Sequence, residues 1–227
     1  MNNKLLRVAA VISGISGVVI LFSVILPIVS YQSISNQKYP TLLNPLAQGT
    51  SRATLEEVDY TKASNWFEDT SDTSFSNSNI SHYVITISKL GIKKATVTIG
   101  GEDLSKSLVQ YPGTALPGKN GNAVVFGHSI LPQFYNPEDF LSIFSTLPTL
   151  DEGDEIQLDY DGIAYKYIVE KMFEVLPTDI EVLEQDKSDS FLTLVTCVPP
   201  GHPLKPKRLI VRARIAPLEQ ANANISN

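Results

Sequence analysis

The sequence predicts an all-β domain, a barrel or a sandwich, carried outside a membrane on one N-terminal transmembrane helix. Two observations carry this. Residues 8–29 hold no charge and are mostly Val, Ile, Leu, Ala, Gly and Ser, enough at about 20 residues to cross a hydrocarbon core as a helix. From His82 onward the pattern changes to short β-type runs separated by Gly, Pro, Asn and Asp, with no repeat at periods of roughly 20–50 residues.

Taken in order, residues 1–7 read as a cytoplasmic N-terminus. Lys4 and Arg7 precede the apolar span and the next basic residue is Lys38, so the positive-inside bias places all that follows outside the cell membrane. Residues 8–29 read as an uncleaved signal anchor. A cleaved signal peptide has an apolar region of only about 7–15 residues before a small-x-small site, and Leu26-Pro27-Ile28-Val29-Ser30 is a poor one. Pro27 falls near the far end, where a helix stops without wasting hydrogen bonds in lipid.

Residues 30–80, rich in Ser, Thr, Asn, Gln and acidic side chains, are expected to form a flexible juxtamembrane linker, most plainly over 71–79 (SDTSFSNSN). Inside it, Leu55, Val58, Tyr60, Trp66 and Phe67 suit a short amphipathic helix starting near Thr54. That stripe predicts a juxtamembrane helix or a patch docked on the domain; the alternative is a flap over an active site.

Residues 81–217 then form the folded domain, and 218–227 a disordered tail. Strands are expected at 83–87, 95–99, 123–127, 156–160, Ile163–Val175, 191–197 and 209–215. Asp161-Gly162 is a hairpin turn, because Gly tolerates positive φ. Asn136-Pro137 offers a cap and a first-turn proline for a short helix over 137–145. The net charge of −6 argues against nucleic acid, which wants a basic face. No phosphate loop, C-x-x-C or H-E-x-x-H pattern occurs.

Cys197 is the only cysteine, so it is a buried filler, a cross-link to another chain, or a thiol kept for chemistry. Outside the cytoplasm an unpaired thiol is exposed to oxidation and needs a reason to persist. Thiol catalysis asks for a thiolate, a proton carrier and a donor-rich spot for an oxyanion. Of the three histidines, His82 lies at the linker boundary and His202 in a proline-rich loop. His128 follows Ala123-Val124-Val125-Phe126-Gly127 at a strand end, a fixed position near solvent. Arg208 opens the last strand run. If the strands ending at Cys197 and starting at Arg208 are antiparallel neighbours, the two side chains share one groove floor, and the guanidinium can hold a carbonyl or oxyanion. Otherwise Arg208 is one more surface arginine beside Lys205, Lys207, Arg212 and Arg214.

Several segments in order resemble the sortases, membrane-anchored cysteine transpeptidases of the bacterial surface. Ile87-Ser88-Lys89-Leu90-Gly91-Ile92 is similar to the family's opening strand. Gln110-Tyr111-Pro112-Gly113-Thr114-Ala115-Leu116-Pro117-Gly118, with Gly121-Asn122, is similar to its loop before the histidine. Val124-Val125-Phe126-Gly127-His128-Ser129 resembles the histidine motif, Thr193-Leu194-Val195-Thr196-Cys197 the TLxTC motif, and Arg208-Leu209-Ile210-Val211 the arginine strand.

The resemblance implies an eight-stranded sortase-type β-barrel with short helices. It implies that Cys197 attacks the Thr–Gly bond of an LPxTG-like sorting signal, that His128 moves the proton, and that Arg208 steadies the oxyanion. Thr196 is implied to offer its hydroxyl to the substrate or to the oxyanion. The implied partners are surface proteins bearing a C-terminal sorting signal, and an amine acceptor on peptidoglycan or a pilin lysine. No cofactor is implied.

The chain also departs from the family's pattern. Ser88 replaces a common Pro, and Ser129 stands where many relatives carry Arg. The loop Val198-Pro199-Pro200-Gly201-His202-Pro203-Leu204-Lys205-Pro206-Lys207 is a stiff wall with four prolines. His202 within it is a candidate substrate contact, against a solvent-facing loop histidine. No Asp-Pro-aromatic lid motif precedes the barrel, although Trp66-Phe67 is placed to act similarly. Some sortases bind calcium. Asp151-Glu152-Gly153-Asp154 is acidic but lacks the ligand spacing of a calcium loop, so no metal is assigned. Two other readings stand beside the transpeptidase: a hydrolytic thiol peptidase, and an inactive sortase-fold assembly or adhesion module.

Overall fold

Period-two apolar patterning and turn residues build a closed barrel in the computed structural model, which describes residues 3–40, 59–67 and 81–217. The strands are β1 (His82–Ile87), β2 (Ile92–Ile99), β3 (Leu108–Gln110), β4 (Gly121–Phe126), β5 (Glu155–Tyr160), β6 (Ile163–Val175), β7 (Ser190–Val198) and β8 (Lys207–Ile215). They close in the order β1-β2-β3-β4-β7-β8-β6-β5. Two joints are parallel, β2 with β3 and β4 with β7. The eight-stranded barrel is therefore as expected.

In β1, Tyr83, Ile85 and Ile87 are buried while the residues between them are partly open, the alternation of a strand with one face on a core. Ile156, Leu158 and Tyr160 of β5 repeat it. Burying each such Ile or Leu side chain stabilises the fold by about 1.5–3 kcal/mol. β7 differs, because every residue in it is buried. Leu192, Leu194 and Val198 join the barrel interior, whereas Val195 and Cys197 join a second cluster on the outer wall. Asp161 and Gly162 turn β5 into β6 with φ of 51° and 74°, as the dipeptide predicts.

Three elements differ from expectation. β3 spans Leu108–Gln110, three residues, too short for alternation to reveal. No helix forms over 137–145. Asn136 and Asp139 take the amides of Glu138 and Leu141, and the Ser142 hydroxyl bonds the carbonyls of Asn136 and Asp139. Local side chains thus hold a chain of turns instead.

The third is α1 (Asn3–Lys38), which runs through Pro27 instead of stopping there. Its last turns are docked. Tyr31 Oη donates to Glu174 Oε1 at 2.8 Å and the Ser35 hydroxyl bonds the same oxygen. Lys38 pairs with Asp151 at 2.8 Å, and Tyr39 donates to the Pro148 carbonyl at 2.5 Å. Glu174 is 1% exposed, its second oxygen paired with Lys207 at 2.9 Å. A flexible linker over residues 30–80 therefore does not hold for 31–39, nor for 59–67, which also packs on the barrel. Thr54, Leu55, Val58, the 71–79 segment and the 218–227 tail lie outside the described residues.

Candidate active site

The outer wall of β4, β7 and β8 carries the candidate residues. β7 and β8 are antiparallel, and Cys197 is the direct cross-strand partner of Arg208. Residues directly opposite on such a pair project to the same face, with Cβ atoms about 4.5–5.5 Å apart. β4 runs parallel to β7, Phe126 beside Val195, so His128 leaves β4 next to the end of β7.

Three hydrogen bonds lace these ends together. Gly127 N donates to the Val195 carbonyl at 3.1 Å, Thr196 Oγ1 donates to the Gly127 carbonyl at 2.8 Å, and Ser129 Oγ donates to the Cys197 carbonyl at 2.6 Å. Gly127 is required by space, since a Cβ there would stand 2.4 Å from Phe144 and 2.5 Å from Leu108.

Residues 59–67 cover this wall. The segment bridges to the loop between β2 and β3, with Ala63 N donating to the Glu102 carbonyl at 3.1 Å and Leu104 N to the Thr61 carbonyl at 2.9 Å. Within the described residues 59–67 the chain forms one 3-10 turn, Ala63–Trp66, where the end of an amphipathic helix is expected. Trp66 is fully buried. Its ring stacks on Phe126 at 5.4 Å and tilts against His128 at 5.7 Å, and its indole N–H donates to the Tyr60 carbonyl at 2.8 Å.

Arg208 is held under the same segment. Its Nε donates to the Trp66 carbonyl at 3.2 Å, and one terminal nitrogen donates to the carbonyls of Lys205 and Lys207. The guanidinium also lies 5.6 Å from both the Tyr60 and Trp66 ring centres. Lys205 caps Tyr60 at 4.5 Å.

Burial sets the electrostatics. It pushes the Cys197 thiol up, against the opposing pull of Arg208 and Lys205. His128 is pushed down to about 4, first by burial and then by the Lys205 charge, with Asp59 and Asp103 opposing. Both groups are thus neutral under the cover, and His128 Nε2 is buried with no hydrogen-bond partner among the described residues. Beside them a cleft of about 750 Å³ is lined by His128, Leu131, Phe134, Leu141, His202 and Lys205 among others.

Cys197 and Arg208 paired across β7–β8, and His128 just past the end of β4, all fall within residues 85–216, the stretch that the Sortase domain model matches. The chain belongs to the sortase family. It is a cysteine transpeptidase by that membership.

Solved structures similar to this sortase include a Clostridium perfringens sortase D5 transpeptidase, 26% identical, with a TM-score of 0.52 over 63% of this chain and 83% of that one. Sortase C1 from Streptococcus agalactiae is 28% identical, with a TM-score of 0.52 over 63% and 71% of the two chains. Sortase C-1 from Actinomyces oris is 26% identical, with a TM-score of 0.52 over 60% and 72%. The structural neighbours are mainly class C pilin sortases. Comparison with curated proteins gives no match.

The sortase barrel brings together Cys197, His128 and Arg208, and His202 lines the adjoining cleft. It does not bring in the Thr196 hydroxyl. Thr196 alternates with Cys197, is fully buried, and spends its hydroxyl on the Gly127 carbonyl, so the expected substrate contact becomes a strut behind the histidine. Asp151 and Asp154 of the acidic turn face Lys38 and Lys89. Sequence reasoning under-weighted Trp66, Tyr60 and Lys205. The aromatic pair in a polar stretch was the signal for the first two. Lys205 carried none, because its basic neighbours read as an ordinary solvated face.

Proposed function

We propose that this sortase is a membrane-anchored enzyme that cleaves an LPxTG-like sorting signal through a thioacyl intermediate and transfers the acyl group to an amine. The support is one relationship: Cys197 opposite Arg208 on adjacent strands, with the His128 strand end laced to the nucleophile strand. The anchor is α1, whose Arg7–Lys38 stretch is long and apolar enough to cross a membrane.

In this reading the 59–67 segment first swings away, freeing the Arg208 donors and wetting Cys197 and His128. Once wetted, the Cys197 thiol passes its proton to His128; the thiolate adds to the carbonyl carbon of the Thr–Gly bond, and Arg208 donates to the oxygen that takes up the electron pair. Collapse expels the glycine nitrogen, which takes a proton from His128, leaving a thioester. An amine, from a cell-wall cross-bridge or a pilin lysine, then adds to the thioester and gives a proton back to His128. The amide forms and the Cys197 thiolate departs. No organic cofactor enters the balance. His202 and Lys205 line the wall where the leaving or incoming chain runs.

The test is transpeptidation by the full-length chain, with an LPxTG peptide and a small amine. Product joined to the amine, absent with Cys197→Ala, is the expected result. Hydrolysis with no amide exchange would move the reading to a thiol peptidase. No thioacyl adduct under any condition would leave an inactive sortase-fold module.

A further inference from the structure

Pro27 lies inside α1. A proline has no N–H, so the carbonyl four residues earlier, that of Ser23, loses its helical donor. In water such a carbonyl is solvated, but in hydrocarbon an orphaned peptide oxygen is costly. The folded domain supplies the missing donor. Gln133 Nε2 donates to the Ser23 carbonyl at 3.1 Å.

Gln133 sits in the turn Pro132–Phe134, a few residues beyond His128. The stretch 129–137 carries no charge. Within it Phe134 turns outward and is 61% exposed, while Ile130, Leu131 and Tyr135 are partly buried; beyond it Leu141, on the same rim of the cleft, is 44% exposed. Exposed apolar surface around a single amide aimed at a helix carbonyl suits a low-dielectric neighbour better than water.

Depth follows from helix geometry. Ser23 lies six residues before Val29, the end of the apolar run, which is about 9 Å along a helix rising 1.5 Å per residue. Side chains seated in a membrane interface reach about 5–10 Å into the headgroup and acyl boundary. The turn is therefore at interfacial depth when α1 spans the bilayer.

We infer that the Pro132–Phe134 turn is a second membrane contact. It seats in the outer-leaflet interface beside α1, with Phe134 and Leu141 among the acyl chains and Gln133 bonded to the carbonyl that Pro27 leaves free. The occupant of this apolar rim is the lipid bilayer. The inference rests on the reading of α1 as a transmembrane anchor and adds where the catalytic barrel sits. The Tyr31–Glu174–Lys207 junction fixes the barrel to the same helix, so the His128 cleft faces the membrane surface and its substrate arrives from that side.

Trp66 is the only native tryptophan, which makes added tryptophans informative. The full-length chain is reconstituted in phosphatidylcholine and phosphatidylglycerol vesicles whose acyl chains are brominated near the glycerol end. Phe134→Trp and Leu141→Trp report on the rim, Phe22→Trp on α1, and Ile163→Trp on the far end of β6 from Glu174. The expected result is that brominated lipid removes most of the emission added at positions 134, 141 and 22 and none of that added at 163. Quenching at 22 with none at 134 and 141 overturns the inference and leaves the anchor standing, the outcome if a protein partner covers the rim. No quenching at 22 sinks both. Equal quenching at 163 and 134 also overturns it, because the rim would then be no closer to lipid than the opposite pole.

Discussion

Ser129 donates its hydroxyl to the backbone carbonyl of Cys197 at 2.6 Å, and both residues are buried. The residue after His128 thereby holds the peptide unit of Cys197. The peptide unit of Cys197 is thus held by a short neutral donor.

Ser129→Ala leaves that carbonyl without its donor in a dry site. The expected cost is about 1–3 kcal/mol of stability, read as a lower unfolding midpoint, with slower formation of the thioacyl adduct and little change in KM for the sorting peptide. An unchanged midpoint and adduct rate would show that the bond positions nothing.

Thr196→Val separates a strut from a substrate contact. Valine keeps the shape and removes the hydroxyl that the Gly127 carbonyl accepts. Loss of about 1–3 kcal/mol of stability with a fall in kcat and an unchanged KM is expected. A large rise in KM with unchanged stability would return Thr196 to the substrate.

These two residues show what could and could not be read from the chain. Cys197, His128 and Arg208 were legible because each lies within two residues of the end of a strand whose apolar run is plain. Thr196 points to the other side from Cys197, as neighbours in a strand do, and its hydroxyl bonds the Gly127 carbonyl, a partner that nothing local in the sequence names. β3 escaped because three residues carry no period. The docked end of α1 escaped because its contacts are long-range: Tyr31 and Ser35 meet Glu174 across 143 and 139 residues of chain. Trp66 was visible as an aromatic in a polar stretch, but nothing local says that Phe126 and His128 lie beneath it.

Arg208→Lys tests the oxyanion role. Lysine keeps a charge but cannot supply a planar fork of donors, and losing an oxyanion donor costs about 10²–10³-fold in rate. A loss of that order in transpeptidation is expected, while Cys197 remains reactive toward a small thiol reagent. Near-normal turnover by Arg208→Lys would remove Arg208 from the oxyanion.

Closure of the 59–67 segment is expected to depend on pH in two directions. His128 is held down to about 4 from 6.5 under the cover. Between those values the open form takes up a proton that the closed form refuses, so closure is complete above about 6.5 and is lost as pH falls toward 4. At its fullest this is on the order of 3 kcal/mol. The Cys197 thiol shifts the opposite way, raised from 9.0 by burial. Closure therefore holds below 9.0 and weakens above it, where the open form ionises first. Trp66, the sole tryptophan and fully buried in the closed form, reports both limbs through its emission maximum. The bluest emission is expected between about 6.5 and 9, with red shifts on either side. His128→Gln should erase the acid limb alone, and Cys197→Ala the alkaline limb alone. An acid red shift that survives in His128→Gln would assign opening to other groups, with Asp59 and Asp103 the first to examine, because both carboxylates act on His128 from the cover and the loop it bridges.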